Sequence, residues 1–287
     1  MSRIVIALMW LLHWLPFAAL ARVGEAAGAA LFWLIPERRR VTRINLAKCF
    51  PQMDPRAREK LARRAFGAFC RGFVERSVLW WASAERVKRM VRIEGIEHLE
   101  AAGPRVVVLA PHFAGVEAAG TRISIDREIS TLYAHQKDPV LDRLLLRGRT
   151  RFRPDPRIVS RQEGFRKVLR WIKEGIPFYY LPDLDFGPKG SVFVPFFGVP
   201  AATARGLPYI ARSTGAKVVP CVARMLPGGG YVAQLYPAWS NFPSGDELAD
   251  ARRMMAFVEE RVREMPEQYH WLHKRFKTRP EGEPRFY

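Results

Sequence analysis

The stretch Arg105-Val106-Val107-Val108-Leu109-Ala110-Pro111-His112-Phe113-Ala114-Gly115-Val116-Glu117-Ala118-Ala119 decides how the rest of the chain is read. Its five apolar residues, three of them β-branched, form a short buried strand. Pro111 closes the strand, and Gly115 with the Val/Glu/Ala run behind it opens a helix. His112 therefore belongs to the crevice beyond the carboxyl end of a strand, where open α/β sheets place their chemistry. Glu117 follows five residues later, in the first turn of the helix. A sharp turn at Ala114-Gly115 is expected to return that carboxylate to the imidazole, fixing its tautomer and balancing the imidazolium charge. The stretch holds no Ser or Cys nucleophile, so His112 is expected to deprotonate an incoming hydroxyl. Backbone N–H groups at the helix start are candidates to stabilise an oxyanion, should the hydroxyl attack a carbonyl. With 6 His and 28 acidic residues in 287, chance supplies about 0.6 such spacings, so the assignment rests on the strand end.

A hydrophobic content of 48% over 287 residues builds a sizeable core and excludes an intrinsically disordered protein. The net charge of +19 and a pI near 10.5 point to a polyanionic partner: nucleic acid, an anionic membrane or acidic substrates. The basic residues are mostly arginine and are spread along the chain. Eight Trp and 18 Phe beside that charge suit a membrane surface as well as a nucleic acid. Cys49, Cys70 and Cys221 are odd in number and show no CxxC or metal spacing, so a reduced compartment and no metal centre are expected.

Residues 4–20 carry no formal charge and include Trp10, His13, Trp14, Pro16 and Phe17. A helix of that length reaches about 26 Å, near the lower limit for crossing a ~30 Å hydrocarbon core. A second apolar run, residues 23–35, contains Glu25 as its only charge. The two are expected to form one long kinked helix, or an anchor followed by an interfacial helix. Glu37-Arg38-Arg39-Arg40 then holds the downstream chain on the cytoplasmic side. Ala19-Leu20-Ala21 has the form of a signal-peptide cleavage site, but apolar sequence resumes directly after it and Arg3 is the only charge before it. The expected organisation is a retained membrane anchor over residues 1–36 and one catalytic domain over 37–287.

Asp54-Pro55 supplies a cap and a first-turn proline for a helix over 56–82. Strands are expected at 91–93, 129–134, 177–181, 191–197, 217–223 and 230–236. Helices are expected at 139–147, 162–173, 203–213 and 246–264. Arg147-Gly148-Arg149 reads as a turn, and Pro182 to Gly190 as a loop rich in Gly, Pro and Asp. Strands alternating with helices give an α/β fold, a mixed sheet flanked by helices.

The run Asp183-Leu184-Asp185-Phe186-Gly187-Pro188-Lys189-Gly190-Ser191-Val192-Phe193-Val194-Pro195-Phe196-Phe197-Gly198 resembles the signature loop of the lipid A late acyltransferases, bacterial enzymes of the lysophospholipid acyltransferase superfamily. Pro266-Glu267-Gln268-Tyr269-His270-Trp271-Leu272-His273-Lys274-Arg275-Phe276-Lys277-Thr278-Arg279-Pro280 is similar to the same enzymes, as is Asn45-Leu46-x-x-Cys49-Phe50-Pro51. The resemblance runs from about residue 40 to the C-terminus. It implies a lysophospholipid acyltransferase-like fold and transfer of a fatty acyl chain from acyl carrier protein to a hydroxyacyl chain of a lipid A precursor, at the cytoplasmic face of the inner membrane. The implied co-substrate is acyl carrier protein, with no cofactor or metal. His112 and Glu117 match the superfamily's His-x4-acid motif as the catalytic pair, with Glu where glycerolipid enzymes usually carry Asp. Arg149 matches the family's Gly-Arg and is expected to fork onto a lipid phosphate; Asp183 and Lys189 are further expected substrate contacts. Asp183 falls where glycerolipid relatives carry a Glu-Gly-Thr segment, so their phosphate-binding scheme is not carried over. Leu184 stands where relatives often have a polar residue. His270 and His273 read as structural. The competing readings are a glycerolipid acyltransferase and a membrane-tethered nucleic-acid-binding protein. The Asp183 departure and the Trp-Leu-His-Lys-Arg-Phe segment speak against the first. The lack of any RNP-like, zinc-finger or helix-turn-helix signal speaks against the second.

Overall fold

Val106–Leu109, strand β2, has all four side chains buried, as a strand covered by helices on both faces requires. The computed structural model describes residues 2–160 and 164–287. Four helices come first: α1 (Ser2–Leu12), α2 (Phe17–Leu34), α3 (Pro36–Cys49) and α4 (Pro55–Trp81). Then α5 (Ala84–Met90), β1 (Val91–Glu94) and α6 (Ile96–Ala101) lead to β2, followed by α7 (Val116–Asp126), β3 (Ser130–Tyr133), α8 (Pro139–Thr150) and β4 (Arg157–Ser160). The second half runs α9 (Arg166–Lys173), β5 (Phe178–Tyr180), β6 (Ser191–Phe196), β7 (Val199–Ala204), α10 (Gly206–Thr214), β8 (Lys217–Met225), β9 (Tyr231–Leu235) and α11 (Glu247–Glu264).

Among the described residues seven strands form one sheet in the order β1-β9-β8-β2-β5-β3-β4, and of its pairs only β8–β9 is antiparallel. This is the mixed sheet flanked by helices expected from the alternation of elements. The pairing that matters most is β2 with β5. They are parallel, Leu109 pairs with Tyr180, and the Ala110 N–H extends the ladder to the Tyr180 carbonyl at 2.9 Å. The loops leaving both strands therefore start side by side.

The hairpin β6–β7 stands apart, closed by Phe197 and Gly198 at φ of 50° and 77°. Two positive-φ residues between paired strands suit the twist of a two-residue hairpin loop. Here the helix expected over 203–213 is shortened: Thr203 belongs to β7, fully buried, and helix α10 opens only at Gly206. The strand β4 is an element that the expected strands did not include. Gln162, the expected first residue of another helix, lies outside the described residues. Gly148 and Arg149 sit inside α8 and not in a turn. The glycine is there for close approach, since a Cβ on Gly148 would lie 2.2 Å from Trp80 Cδ1.

Helix α4 is the long beam beneath the motif loop. Asp54 caps it by accepting from the Arg56 and Ala57 amides at 2.9 and 3.0 Å. Gly72 meets the Ala114 carbonyl, where a Cβ would come within 2.6 Å. On its other side α4 receives α2, whose buried residues Leu20, Gly24, Gly28 and Phe32 recur every fourth position. The 4–20 run is not one helix: α1 ends at Leu12, and α2 starts after a turn that Pro16 closes. At about 16 Å, α1 is too short to cross a bilayer. Among the described residues one helix, Phe17–Leu34, is long and apolar enough to do so by length and composition. Ile4, Leu8, Leu11, Trp14, Trp33 and Leu34 leave an apolar surface exposed on this end of the molecule.

The C-terminal segment returns over the core. Trp271 and Arg275 are fully buried, and Asn45 Nδ2 donates to the carbonyls of Trp271 and His273, both at 2.8 Å. The Asn45 and C-terminal segments, far apart in sequence, thus pack together. Because a Cβ on Gly28 would lie 2.5 Å from Gly67 Cα, Gly28→Ala is expected to destabilise the protein by about 1–3 kcal/mol. Thermal unfolding in detergent measures it, and an unchanged midpoint would mean that α2 is not seated on α4.

Candidate active site

Three residues past Leu109 stands His112, and three residues past Tyr180 stands Asp183. Equal offsets from paired strand ends bring the two together. The His112 amide donates to Asp183 Oδ2 at 3.0 Å, and its Nδ1 lies 2.7 Å from Oδ1. Burial alone would raise the Asp183 pKa, but the charge of His112 and the hydrogen bonds outweigh it and hold the carboxyl below its ordinary range. An ionised carboxylate only accepts, so Nδ1 carries the proton and Nε2 is left as the basic nitrogen. The Asp183 side chain is fully buried, while that of His112 is 24% exposed. Asp183, expected as a substrate contact, instead lies behind the imidazole.

Glu117 takes a different partner from the one expected. Arg149 Nε donates to Glu117 Oε2 at 3.0 Å and Nη2 to Oε1, a two-point fork. Helix α7 opens after Gly115, whose bare Cα fits against the Tyr231 ring. Its first turn sets Glu117 against Arg149 of α8 and leaves Asp183 as the acid that orients His112. Burial would raise the Glu117 pKa, but Arg149 and then Arg76 outweigh it and bring it down to about 2. The carboxylate is therefore ionised at physiological pH and still lies within electrostatic reach of His112. Arg149, expected to fork onto a phosphate from a surface turn, has its fork occupied.

The C-terminal segment closes the other side. The His270 amide donates to the His112 carbonyl at 3.1 Å, and its ring stacks on Phe69 at 5.2 Å. Burial, aided by the neighbouring His112, lowers the His270 pKa to about 3, which keeps it neutral and a poor base. Of the expected backbone oxyanion donors, those nearest His112 are already engaged. The amides of Phe113, Ala114 and Val116 donate to the carbonyls of Pro111, Gln268 and Phe113 at 2.7, 2.8 and 3.0 Å.

His112, Glu117 and Arg149 open onto a cavity of about 820 Å³, within the range of ligand sites. Leu145, Leu146, Phe165 and Phe186 make part of its wall apolar, and Lys189 and Arg205 stand on its rim. A narrower pocket of about 80 Å³ continues it past Gly120, Thr121 and Ile158. Among the described residues lining the large cavity there is no serine or cysteine. The three cysteines are buried, with burial raising Cys70 to about 11 and Cys221 to about 12. No group of three metal-ligating side chains occurs among the described residues.

One site residue, Arg76, escapes a reading of the sequence. It lies on α4, lines the cavity beside Glu117 and Arg149, and has a buried Nε without a partner. The available signal is a cation at helical spacing within an aromatic stripe, Phe69, Phe73, Arg76 and Trp80.

A family model described as bacterial lipid A biosynthesis acyltransferase matches residues 1–278, and the chain belongs to that family. It is 32% identical over 287 residues to the lipid A biosynthesis lauroyltransferase of Escherichia coli (strain K12), covering 98% of this chain and 93% of that one. It is 31% identical over 270 residues to the lipid A biosynthesis myristoyltransferase of the same organism, with 92% and 81% covered. Among solved structures, the 1-acyl-sn-glycerophosphate (LPA) acyltransferase of Thermotoga maritima superimposes with a TM-score of 0.44 at 16% identity, covering 93% of this chain and 98% of that one.

The depressed Glu117 pKa has a stability consequence of definite sign. Its contribution is complete above the unfolded value near ~4.3 and is lost as pH falls toward about 2. Glu117→Gln is expected to be about 1–3 kcal/mol less stable than wild type at pH 7, with the gap closing on acidification from about pH 4.5 to 2. Urea unfolding at several pH values measures it; a pH-independent gap would contradict the ion pair.

Proposed function

We propose that this protein transfers a fatty acyl chain from acyl carrier protein to a hydroxyacyl chain of a lipid A precursor, at the cytoplasmic face of the bacterial inner membrane. The observation that carries the chemistry is His112, held at two points by buried Asp183 and exposed to a large, partly apolar cavity. Family membership supports the reaction class and the lipid acceptor.

In this reading His112 Nε2 takes the proton of the acceptor hydroxyl as its oxygen attacks the thioester carbonyl. Asp183 stabilises the imidazolium that forms, and Glu117 adds a second negative charge at longer range. On collapse the C–S bond breaks and the imidazolium returns the proton to the departing thiolate. The buried cysteines and the lining of the cavity favour direct transfer over a covalent acyl-enzyme. No cofactor enters; acyl carrier protein is the co-substrate. The exposed Lys189 and the rim residue Arg205 suit an acidic carrier and a phosphorylated lipid. The exposed apolar residues of α1 and α2, followed by Arg38, Arg39 and Arg40, support attachment to an anionic membrane.

The purified protein, given acyl carrier protein loaded with a saturated chain and a hydroxyacyl lipid A precursor, is expected to add the mass of one acyl chain. Lysophosphatidate offered in parallel is expected to remain unmodified. His112→Ala should lower the rate by about 10²–10⁴-fold while the protein stays folded. Acylation of lysophosphatidate in place of the lipid A precursor, or near wild-type turnover by His112→Ala, would overturn the reading.

A further inference from the structure

Two arginines flank Glu117, and only one of them is answered. Arg149 spends two N–H groups on the carboxylate. Arg76 makes neither an ion pair nor a hydrogen bond with any described residue, and its contact is with the ring of Phe73 at 5.7 Å. Its place on α4 is fixed from both sides: Gly72 presses on the Ala114 carbonyl one turn before it, and Trp80 packs on Gly148 one turn after it. The side chain is thereby held against the motif loop and lines the cavity that His112 opens onto.

Arg76 feels the Glu117 carboxylate only through its field, the hydrogen bonds of that carboxylate going to Arg149, and a guanidinium held there without a hydrogen-bonded counter-ion is costly unless a ligand supplies negative charge. Counting the groups around Glu117, two guanidiniums face one carboxylate, which leaves one positive charge over. Acyl transfer creates a negative charge within the same cavity, on the carbonyl oxygen of the tetrahedral intermediate. That oxygen needs donors, and the amides closest to the imidazole, those of His112, Phe113 and Ala114, are committed to protein acceptors, which leaves the Arg76 guanidinium as the charged donor on the cavity wall.

We propose that Arg76 is the oxyanion donor of this enzyme, its guanidinium taking up the charge that develops on the thioester carbonyl oxygen. The proposal rests on the acyl-transfer reading above. The acceptor oxygen bonds to the carbonyl carbon while its proton passes to His112 Nε2, and the carbonyl π pair moves onto the oxygen facing Arg76. The pair returns as the C–S bond breaks, and the leaving thiolate recovers the proton from His112. Arg149 acts separately, keeping Glu117 in place and ionised. Arg76 is held by its helix and not by a salt bridge, which leaves its N–H groups free for the intermediate.

The test is steady-state kinetics of Arg76→Met, Arg76→Gln and Arg76→Lys with two acceptors, a phosphorylated lipid A precursor and the same glycolipid stripped of phosphate. The Met and Gln variants are expected to lose about 10²–10³-fold in kcat with either acceptor, with KM for both substrates little changed. Arg76→Lys should regain about tenfold over Arg76→Met, because a point charge still answers an oxyanion. If Arg76→Met fails to fold by circular dichroism, the Gln and Lys variants carry the comparison. A loss seen only with the phosphorylated acceptor, as a raised KM, would overturn the proposal and make Arg76 a phosphate contact. Unaltered kcat in all three variants would also overturn it. Failure of the wild-type protein itself to acylate either acceptor would strike the acyl-transfer reading instead, and so is distinguishable.

Discussion

Two parallel strands at the centre of the sheet end in register at Leu109 and Tyr180, and what leaves their carboxyl ends sets up the site. His112 and Asp183 lie the same number of residues beyond those ends. One backbone and one ring nitrogen of the histidine therefore meet both oxygens of a single buried carboxylate. Two bonds to one acid fix the imidazole's position, its rotation and its tautomer together. The remaining parts of the site brace this arrangement. The Tyr269-His270 segment pins the same loop from the far side, through the Phe113–Tyr269 bridge and the bond to the His112 carbonyl. Helix α4 supports it from beneath at Gly72.

The charges around His112 divide into two layers. Asp183 belongs to the imidazole and is sealed from solvent. Glu117 belongs to Arg149, joining the start of α7 to the end of α8 across the cavity wall. A buried ion pair of this kind is a weak source of net stability, yet removing one partner strands the other charge. It follows that any influence of Glu117 on His112 passes through geometry and field and not through a bond to the histidine. Burial and the nearby His112 keep His270 neutral, so it adds no competing positive charge beside the site.

Much of the fold is legible in local sequence. The buried β2, the α7 start at Gly115 and the capped helix after Asp54 are set by apolar runs, glycine and proline, which act over a few residues. The departures are of another kind. Gly148 reads as a turn because glycine usually breaks helices, but here it makes room for Trp80, a contact from a residue far away in sequence. Thr203 reads as a helix start, and pairing with β6 makes it a strand residue. His112 is recognisable from its strand end. Its acid partner is not, because spacing within one segment favours Glu117, whereas strand pairing across the sheet selects Asp183. Arg76 needs the packing of α4 against the motif loop, which periodicity alone does not reveal.

The assignment of Asp183 to His112 and of Glu117 to Arg149 is open to direct observation. In protein labelled with ¹⁵N-histidine, the Nδ1 proton of His112 should give a strongly deshielded resonance, assigned by its absence from His112→Ala. Asp183→Ala should abolish that resonance, and Glu117→Gln should leave it in place with a small shift. Loss of the signal in Glu117→Gln with its persistence in Asp183→Ala would contradict the account and restore the acid five residues on as the partner of the imidazole.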